Sequence, residues 1–217
     1  MGPAAFPDDA CSLRDGPPSP WRLALTAGAV DTTLVFDGAA HVGLRQWSAL
    51  ATASRRLSPA LSLQVGAGAL LGGWLEDAAG RHDLAPGAVA LAGLTWLLLP
   101  PRDGGPFLAF SSALSLAAAR TAAGPAGPGA PYRAADLSLA GSAGWPVGGW
   151  LAPYAAAKVF GGPVTWERGG AGVTGTDLHH FQVALGLAAS LPRRFDLLVE
   201  WAPLGARAVT AALGRSL

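Results

Sequence analysis

Hydrophobic and polar residues alternate with a period of two along much of the chain. Between Leu61 and Leu71 every odd-numbered position is Leu, Val or Ala, and four of the five even-numbered positions are Ser, Gln or Gly. Similar alternation is found in "PFLAFSSALSLA", in "DLSLAG", in "FQVALGLAASL" and in "FDLLVEW". A strand whose two faces meet different surroundings requires this spacing, whereas a helix does not. The pattern therefore predicts β-strands.

The breaks between these segments divide the chain into ten predicted strands, with eight as the alternative count. Short breaks such as "PRR" alternate with longer ones such as 76–86, 120–131 and 162–177. Strands of about 10 residues with short turns at one end and longer loops at the other are typical of a transmembrane β-barrel. The predicted strands are 21–32, 41–55, 60–74, 87–99, 106–119, 132–144, 150–161, 178–191, 195–202 and 207–217. The second is the least regular, and we expect a bulge in it.

Composition favours a membrane surrounding over water. The 217 residues are 51% hydrophobic and only 13% charged, whereas ordinary globular domains are about 25% charged. Most aromatic residues stand near the ends of predicted strands, as in the girdles of membrane barrels; Trp47 and Phe110 are the exceptions. Membrane helices and a soluble β-protein remain as alternatives. The sequence thus predicts an all-β fold, a single closed antiparallel transmembrane β-barrel.

The first twenty residues have a different texture. Residues 1–20 hold five Pro and no apolar run, so we expect a disordered tail before a barrel domain spanning 21–217, and no signal peptide in the chain as given. The single cysteine, Cys11, rules out an intramolecular disulfide. Net charge is +1 and no basic stripe carries interleaved aromatics, so we expect no nucleic-acid partner.

The segments "RRLSPALSLQVGAGALLGG" and "DLLVEWAPLGARAVTAALGRSL" resemble bacterial outer-membrane β-barrel proteins. The organisation from Trp21 to Leu217 is similar to that of small barrels of the OmpA or OmpW kind, without a diagnostic motif. The resemblance implies a location in the outer membrane, with the lipid bilayer as a partner and insertion by the barrel assembly machinery. In that class the last residue is usually aromatic, whereas here it is Leu217.

A few ionisable residues fall on the inward faces of predicted strands, where they need partners. If the turn "WPVGG" centres on Val147, Asp136 and Lys158 lie directly opposite each other. They would form either a structural ion pair that fills the lumen or a selectivity constriction. We expect Arg22, Asp196 and Glu200 to join this polar network, and Arg45 is a further candidate for it.

The segment "GTDLHHF" places Asp177, His179 and His180 at the outer rim. An omptin-like protease or a lipid-modifying hydrolase could use such residues. The hydrolase would need His and Ser close together, but His180 and Ser190 lie on one predicted strand about 33 Å apart, too far for a triad. We assign no catalytic residue, metal or cofactor. The sequence therefore predicts an integral outer-membrane barrel, structural or forming a narrow small-solute pore, with a hydrolase at the outer rim as the alternative.

Overall fold

The computed structural model describes residues 20–101, 104–122, 129–168 and 171–217. Residues 1–19, which contain Cys11 and nearly all of the predicted tail, lie outside this part. No helix in the described residues is long and apolar enough to cross a membrane. Within the described residues the strands are β1 (Trp21–Phe36), β2 (Ala40–Ser58), β3 (Leu61–Asp77), β4 (Gly80–Leu84), β5 (Gly87–Leu99), β6 (Phe107–Arg120), β7 (Pro131–Gly144), β8 (Leu151–Gly161), β9 (Val164–Arg168), β10 (Ala171–Asp177), β11 (Phe181–Leu191), β12 (Phe195–Gly205) and β13 (Arg207–Ser216).

Ten of these strands form a closed antiparallel wall. β1, β2, β3, β5, β6, β7, β8, β11, β12 and β13 pair in that order. β13 then pairs back with β1, from Arg22 opposite Ser216 to Asp31 opposite Arg207. The prediction of an all-β closed barrel with ten strands is confirmed, and the alternative of eight is wrong. Trp21 and Leu217 lie together at one end, which we call the periplasmic end because the short turns lie there; the opposite end is the outer end.

The period-two pattern fixes which side chains face the membrane. On β6, Leu108, Phe110 and Leu114 are exposed, while Ala109 and Ser111 between them are buried in the lumen. Strands with this alternation satisfy their backbone hydrogen bonds within the wall and present an apolar band to lipid.

The expected irregularity lies on a different strand. From Ala40 to Arg55 β2 keeps its parity, so Arg45, Trp47 and Ala49 all face outward. The register shift falls in β3, where Trp47 pairs with Gly72 and Ser48 with Leu70, leaving Leu71 as the extra residue of a bulge. Within the predicted strand 41–55 the extra residue therefore belongs to the partner strand and not to β2. A second register shift, between Arg56 and Ser58, leaves Leu57 as an extra residue at the end of β2.

At the outer end the wall is uneven. β1, β2 and β3 have 16, 19 and 17 residues, whereas β8, β11, β12 and β13 have 10 or 11. Above the short strands, β9 and β10 form a hairpin whose sides pair with β7 and with β1. Much of segment 162–177, predicted as a loop, is therefore β-structure that closes the outer end.

Candidate functional site: the lumen

The lumen carries polar side chains from several strands. Lys158 of β8, Gln182 of β11 and Glu200 of β12 are all buried, because each occupies an inward position of its strand. Together with Thr26, Ser48 and Thr210 they border a cavity of about 10 Å³. That volume holds about one water molecule. We call Lys158, Gln182, Glu200 and Thr210 the polar layer.

Lys158 is surrounded by carboxylates at different heights. The charges that act on its ammonium group are those of Glu200, which contributes most, Asp136 and Asp177. The ammonium nitrogen also lies 5.6 Å from the centre of the Phe160 ring, a cation–π distance. The Lys158 charge is thus attracted by three acidic groups, with Glu200 contributing most.

Asp136 and Lys158 are not directly opposite each other. Lys158 pairs with Ala140, and Leu137, next to Asp136, pairs with Gly161. The turn closes around Gly149, since Val147 pairs with Leu151, so the predicted register, centred on Val147, is wrong by four residues. The two side chains still share the lumen, but Asp136 lies farther toward the outer end.

The network predicted for Arg22, Asp196 and Glu200 is divided into two groups. At the periplasmic end Arg22 binds Asp196 through two donors, with Nε 3.0 Å from Oδ2 and Nη2 bonded to Oδ1. Farther in, the Tyr154 hydroxyl donates to Glu200 Oε2 over 3.0 Å. Arg45, the further candidate, is not in the lumen at all, because it lies on the outward face of β2.

Two glycines make room for these bonds. A β-carbon at Gly214 would overlap the Arg22 guanidinium and the Asp196 carboxylate. Similarly, a β-carbon at Gly186 would overlap the Tyr154 ring; Gly186 stands between Tyr154 and Glu200 in the strand register. The small inward residues of β11 and β13 therefore accommodate large polar neighbours.

Apolar clusters lie on both sides of the polar layer. The cluster nearer the periplasmic end includes Leu97, Phe107 and Leu198. The outer cluster, which we call the outer seal, consists of Leu34, Phe36, Val42, Leu44, Leu75, Leu84, Tyr132, Val164 and Trp166.

The hairpin contributes the centre of the outer seal. Trp166 of β9 is 2% exposed and packs against Phe36 with ring centres 6.1 Å apart. On its other side it meets His82 of β4 at 5.1 Å. The lumen is thus occluded at its outer end by a side chain that belongs to the hairpin and not to the ten-stranded wall.

The outer-rim candidates do not form a catalytic group. Asp177 ends β10 and accepts a hydrogen bond of 2.6 Å from the Thr32 hydroxyl. His180 Nδ1 lies 3.2 Å from the carbonyl oxygen of Phe160, and His179 packs edge-on against Phe181 at 6.4 Å. In the described part of the chain, no group of three His, Cys, Asp or Glu residues is arranged to hold a metal ion.

The predicted polar network did not include Tyr154 and Gln182, and Trp166 was not predicted as a lumen residue. The parity of their strands was a usable signal for the first two, since Tyr154 shares its face with Lys158, and Gln182 is the one amide on the inward face of β11. Trp166 was missed because its segment was predicted as a loop.

Comparison with known proteins supports the architecture alone. No family model matches the chain, and no characterised protein matches its sequence. Among solved structures, the outer membrane protease OmpT from Escherichia coli aligns with a TM-score of 0.56 and 11% identity, covering 95% of this chain and 100% of that one. The translocator domain of the autotransporter NalP from Neisseria meningitidis aligns with a TM-score of 0.51 and 10% identity, covering 96% and 92%.

The fold is that of an outer-membrane β-barrel. The resemblance predicted from the sequence is thereby confirmed at the level of architecture, and the barrels it matches agree with the expected outer-membrane location. At 10–11% identity the likeness concerns the fold and not the chemistry.

Proposed function

We propose that this barrel is a narrow small-solute pore of the bacterial outer membrane, closed in this structure by the outer seal. The observation that carries the proposal is the polar layer. Lys158 and Glu200, 8% and 5% exposed, lie between two apolar clusters in a lumen that apolar side chains could have filled completely.

Energetics favour a functional role for that layer. Removing a charged group from water costs several kcal/mol, and a buried ion pair often stabilises a protein no better than apolar residues of the same volume. A lumen kept permanently shut gains nothing from such groups. In a pore that opens, the same groups become hydrated and contact the solute.

The outer seal is attached in a way that permits opening. β9 pairs with β7 at Tyr132, Arg133 and Ala134, and β10 pairs with β1 at Leu34, Val35 and Phe36. Backbone hydrogen bonds from Ala135 to Pro163, from Asp37 to Thr174 and from Leu178 to Thr33 extend these short ladders by about one residue at their ends. The wall strands are joined by longer ladders, such as the one between β1 and β13. Movement of the hairpin would withdraw Trp166 and Val164 without breaking the wall.

Single-channel recording with a reversible lock tests the proposal. In a Cys11→Ser background, Arg133→Cys with Thr165→Cys places cysteines at paired positions of β7 and β9, within disulfide reach. We expect small conductance steps in the reduced protein that disappear on oxidation and return with reductant. The matched control, Ala143→Cys with Ala155→Cys, links β7 to β8 within the wall and should conduct in both states.

The competing function is a purely structural barrel. If neither the wild type nor the two reduced variants shows conductance steps, the pore is refuted and the structural barrel remains. This holds provided that each protein is folded, as shown by a gel mobility that changes on boiling (heat-modifiable mobility). Steps that persist in the oxidised Arg133–Thr165 variant would instead refute gating by the hairpin. A rim hydrolase gains no support, because Asp177 bonds to Thr32 and neither histidine is bonded to it.

A further inference from the structure

Two arginines and two tryptophans form a cluster on the outward face of the barrel. The guanidinium carbon of Arg45 lies 5.9 Å from the centre of the Trp47 ring and 5.3 Å from that of Trp74. That of Arg81 lies 4.0 Å from the Trp74 ring, and the two indoles meet edge-on at 5.3 Å. We call Arg45, Trp47, Trp74 and Arg81 the Arg–Trp patch.

The strand register places this patch at the outer edge of the membrane-spanning wall. Arg45 pairs with Asp31 of β1, and Asp31 pairs on its other side with Arg207, the first residue of β13. Arg45 therefore stands at the height where the short strands begin. Trp47, two residues nearer the membrane, takes the position of an interfacial girdle residue. A residue at this height of a membrane barrel is expected at the level of the lipid headgroups.

Hydrogen-bond donors on the patch are available. Arg81 Nε bonds to Asp83 Oδ1 at 2.7 Å, while Arg45 has only its two aromatic contacts among the described residues. The neighbouring charges on the outward face are Asp31, Glu76, Asp83 and Arg207. Of these, Asp31 is the carboxylate directly across from Arg45, yet the two form no ion pair in the described part of the chain.

We propose that the Arg–Trp patch binds the phosphate group of an anionic lipid in the outer leaflet, with Arg45 as the principal contact. A guanidinium presents planar paired donors that match phosphate oxygens. The indoles hold the guanidinium plane by cation–π contact, so less side-chain freedom is lost when the phosphate binds. This inference does not depend on the proposed pore.

A lipid fits the site better than free phosphate because the surface below is apolar. Toward the membrane from Arg45 and Trp47, the outward positions of β2 are Ala49, Ala51 and Ala53. The residues of β3 opposite them are Ala69, Ala67 and Val65. Acyl chains can lie along this wall while the phosphate contacts Arg45. Inorganic phosphate would gain only the electrostatic contact with Arg45 and nothing from the apolar wall.

Lipid binding to the whole barrel in a neutral detergent tests the proposal. Binding of diphosphorylated lipid A is followed by native mass spectrometry and by quenching of Trp fluorescence, with phosphatidylglycerol, phosphatidylethanolamine and inorganic phosphate in parallel. We expect Arg45→Gln to weaken lipid A binding about tenfold, the loss of one charge-assisted contact. Asp31→Asn should strengthen it, because a repelling carboxylate is removed.

The matched control is Arg55→Gln. Arg55 also lies over an indole, that of Trp21, at 5.4 Å, but at the periplasmic rim. It should leave lipid A affinity within twofold of wild type. Equal losses in both variants, or no loss in Arg45→Gln with heat-modifiable mobility retained, would overturn the assignment. If inorganic phosphate displaces lipid A at equal concentration, the site takes a free anion and the lipid assignment falls.

Discussion

At the scale of single residues, the packing of the lumen depends on glycines, which leave space for side chains of the neighbouring strands. Gly186 pairs with Tyr154 on one side and with Glu200 on the other. The Tyr154 ring lies over the glycine and so reaches the carboxylate of Glu200. A sequence shows that glycine is abundant, but not which ring occupies the space it leaves, since that requires the register of three strands.

Gly186→Ala should therefore displace Tyr154 and break its bond to Glu200. Inserting a methyl group into a packed site costs about 1–3 kcal/mol. We expect the urea midpoint of the refolded barrel to fall accordingly, measured by Trp fluorescence. Gly141→Ala is the control, because a β-carbon there meets nothing within 4 Å; an equal loss in both variants would contradict the role assigned to Gly186.

Breaking the Arg22–Asp196 pair should cost far more stability than breaking an exposed pair of the same kind. Its side chains are 13% and 5% exposed, so Asp196→Asn leaves a largely buried cation without its carboxylate, at a cost of about 3 kcal/mol. The same denaturation assay applied to Arg81→Gln, whose pair with Asp83 is 54% and 63% exposed, should show a loss below about 1 kcal/mol. Similar losses of unfolding free energy in Asp196→Asn and Arg81→Gln would mean that the Arg22–Asp196 pair is solvated.

At the scale of elements, strand faces could be predicted from the sequence, but the outer hairpin and one register could not. The run "VTWERGGAGVTGT" has β-branched residues on both sides of a Gly-Gly pair, and Trp166 before it, a recognised hairpin signal. It was obscured because the surrounding glycines gave the whole segment the composition of a loop. Its pairing with β7 and β1 joins strands distant in sequence, which no local pattern can show.

The register between β7 and β8 was missed for a different reason. Gly148 and Gly149 both adopt positive φ, 63° and 73°, a conformation that glycine takes without the steric cost of a side chain. The chain therefore reverses around Gly149 instead of Val147. A displacement of two residues in the turn moves every cross-strand pair by four, and so separates Asp136 from Lys158.

The hairpin should be removable without loss of the barrel. Replacing 164–177 by a short Gly/Ser linker deletes β9 and β10 but leaves all ten wall strands with their neighbours. We expect unchanged heat-modifiable mobility on gels together with a larger conductance, because Trp166 and Val164 leave the outer seal. Failure of this variant to refold would show that the wall depends on the hairpin.

At the scale of the whole molecule, period-two alternation was sufficient for the architecture because a membrane barrel has only two environments. An outward position meets lipid and an inward one meets the lumen, so parity alone assigns Leu108 and Ser111 correctly. What happens inside the lumen is decided by side-chain size and by tertiary register, and the sequence alone does not determine these.

The chain has a single lysine, and that lysine is in the polar layer. Apart from the terminal amine, Lys158 is therefore the one primary amine that an acylating reagent can find. Its rate of modification, measured by mass spectrometry on the intact protein, reports how often solvent reaches the middle of the barrel. Comparing the modification rates of reagents of increasing size would show how wide the passage through the lumen becomes.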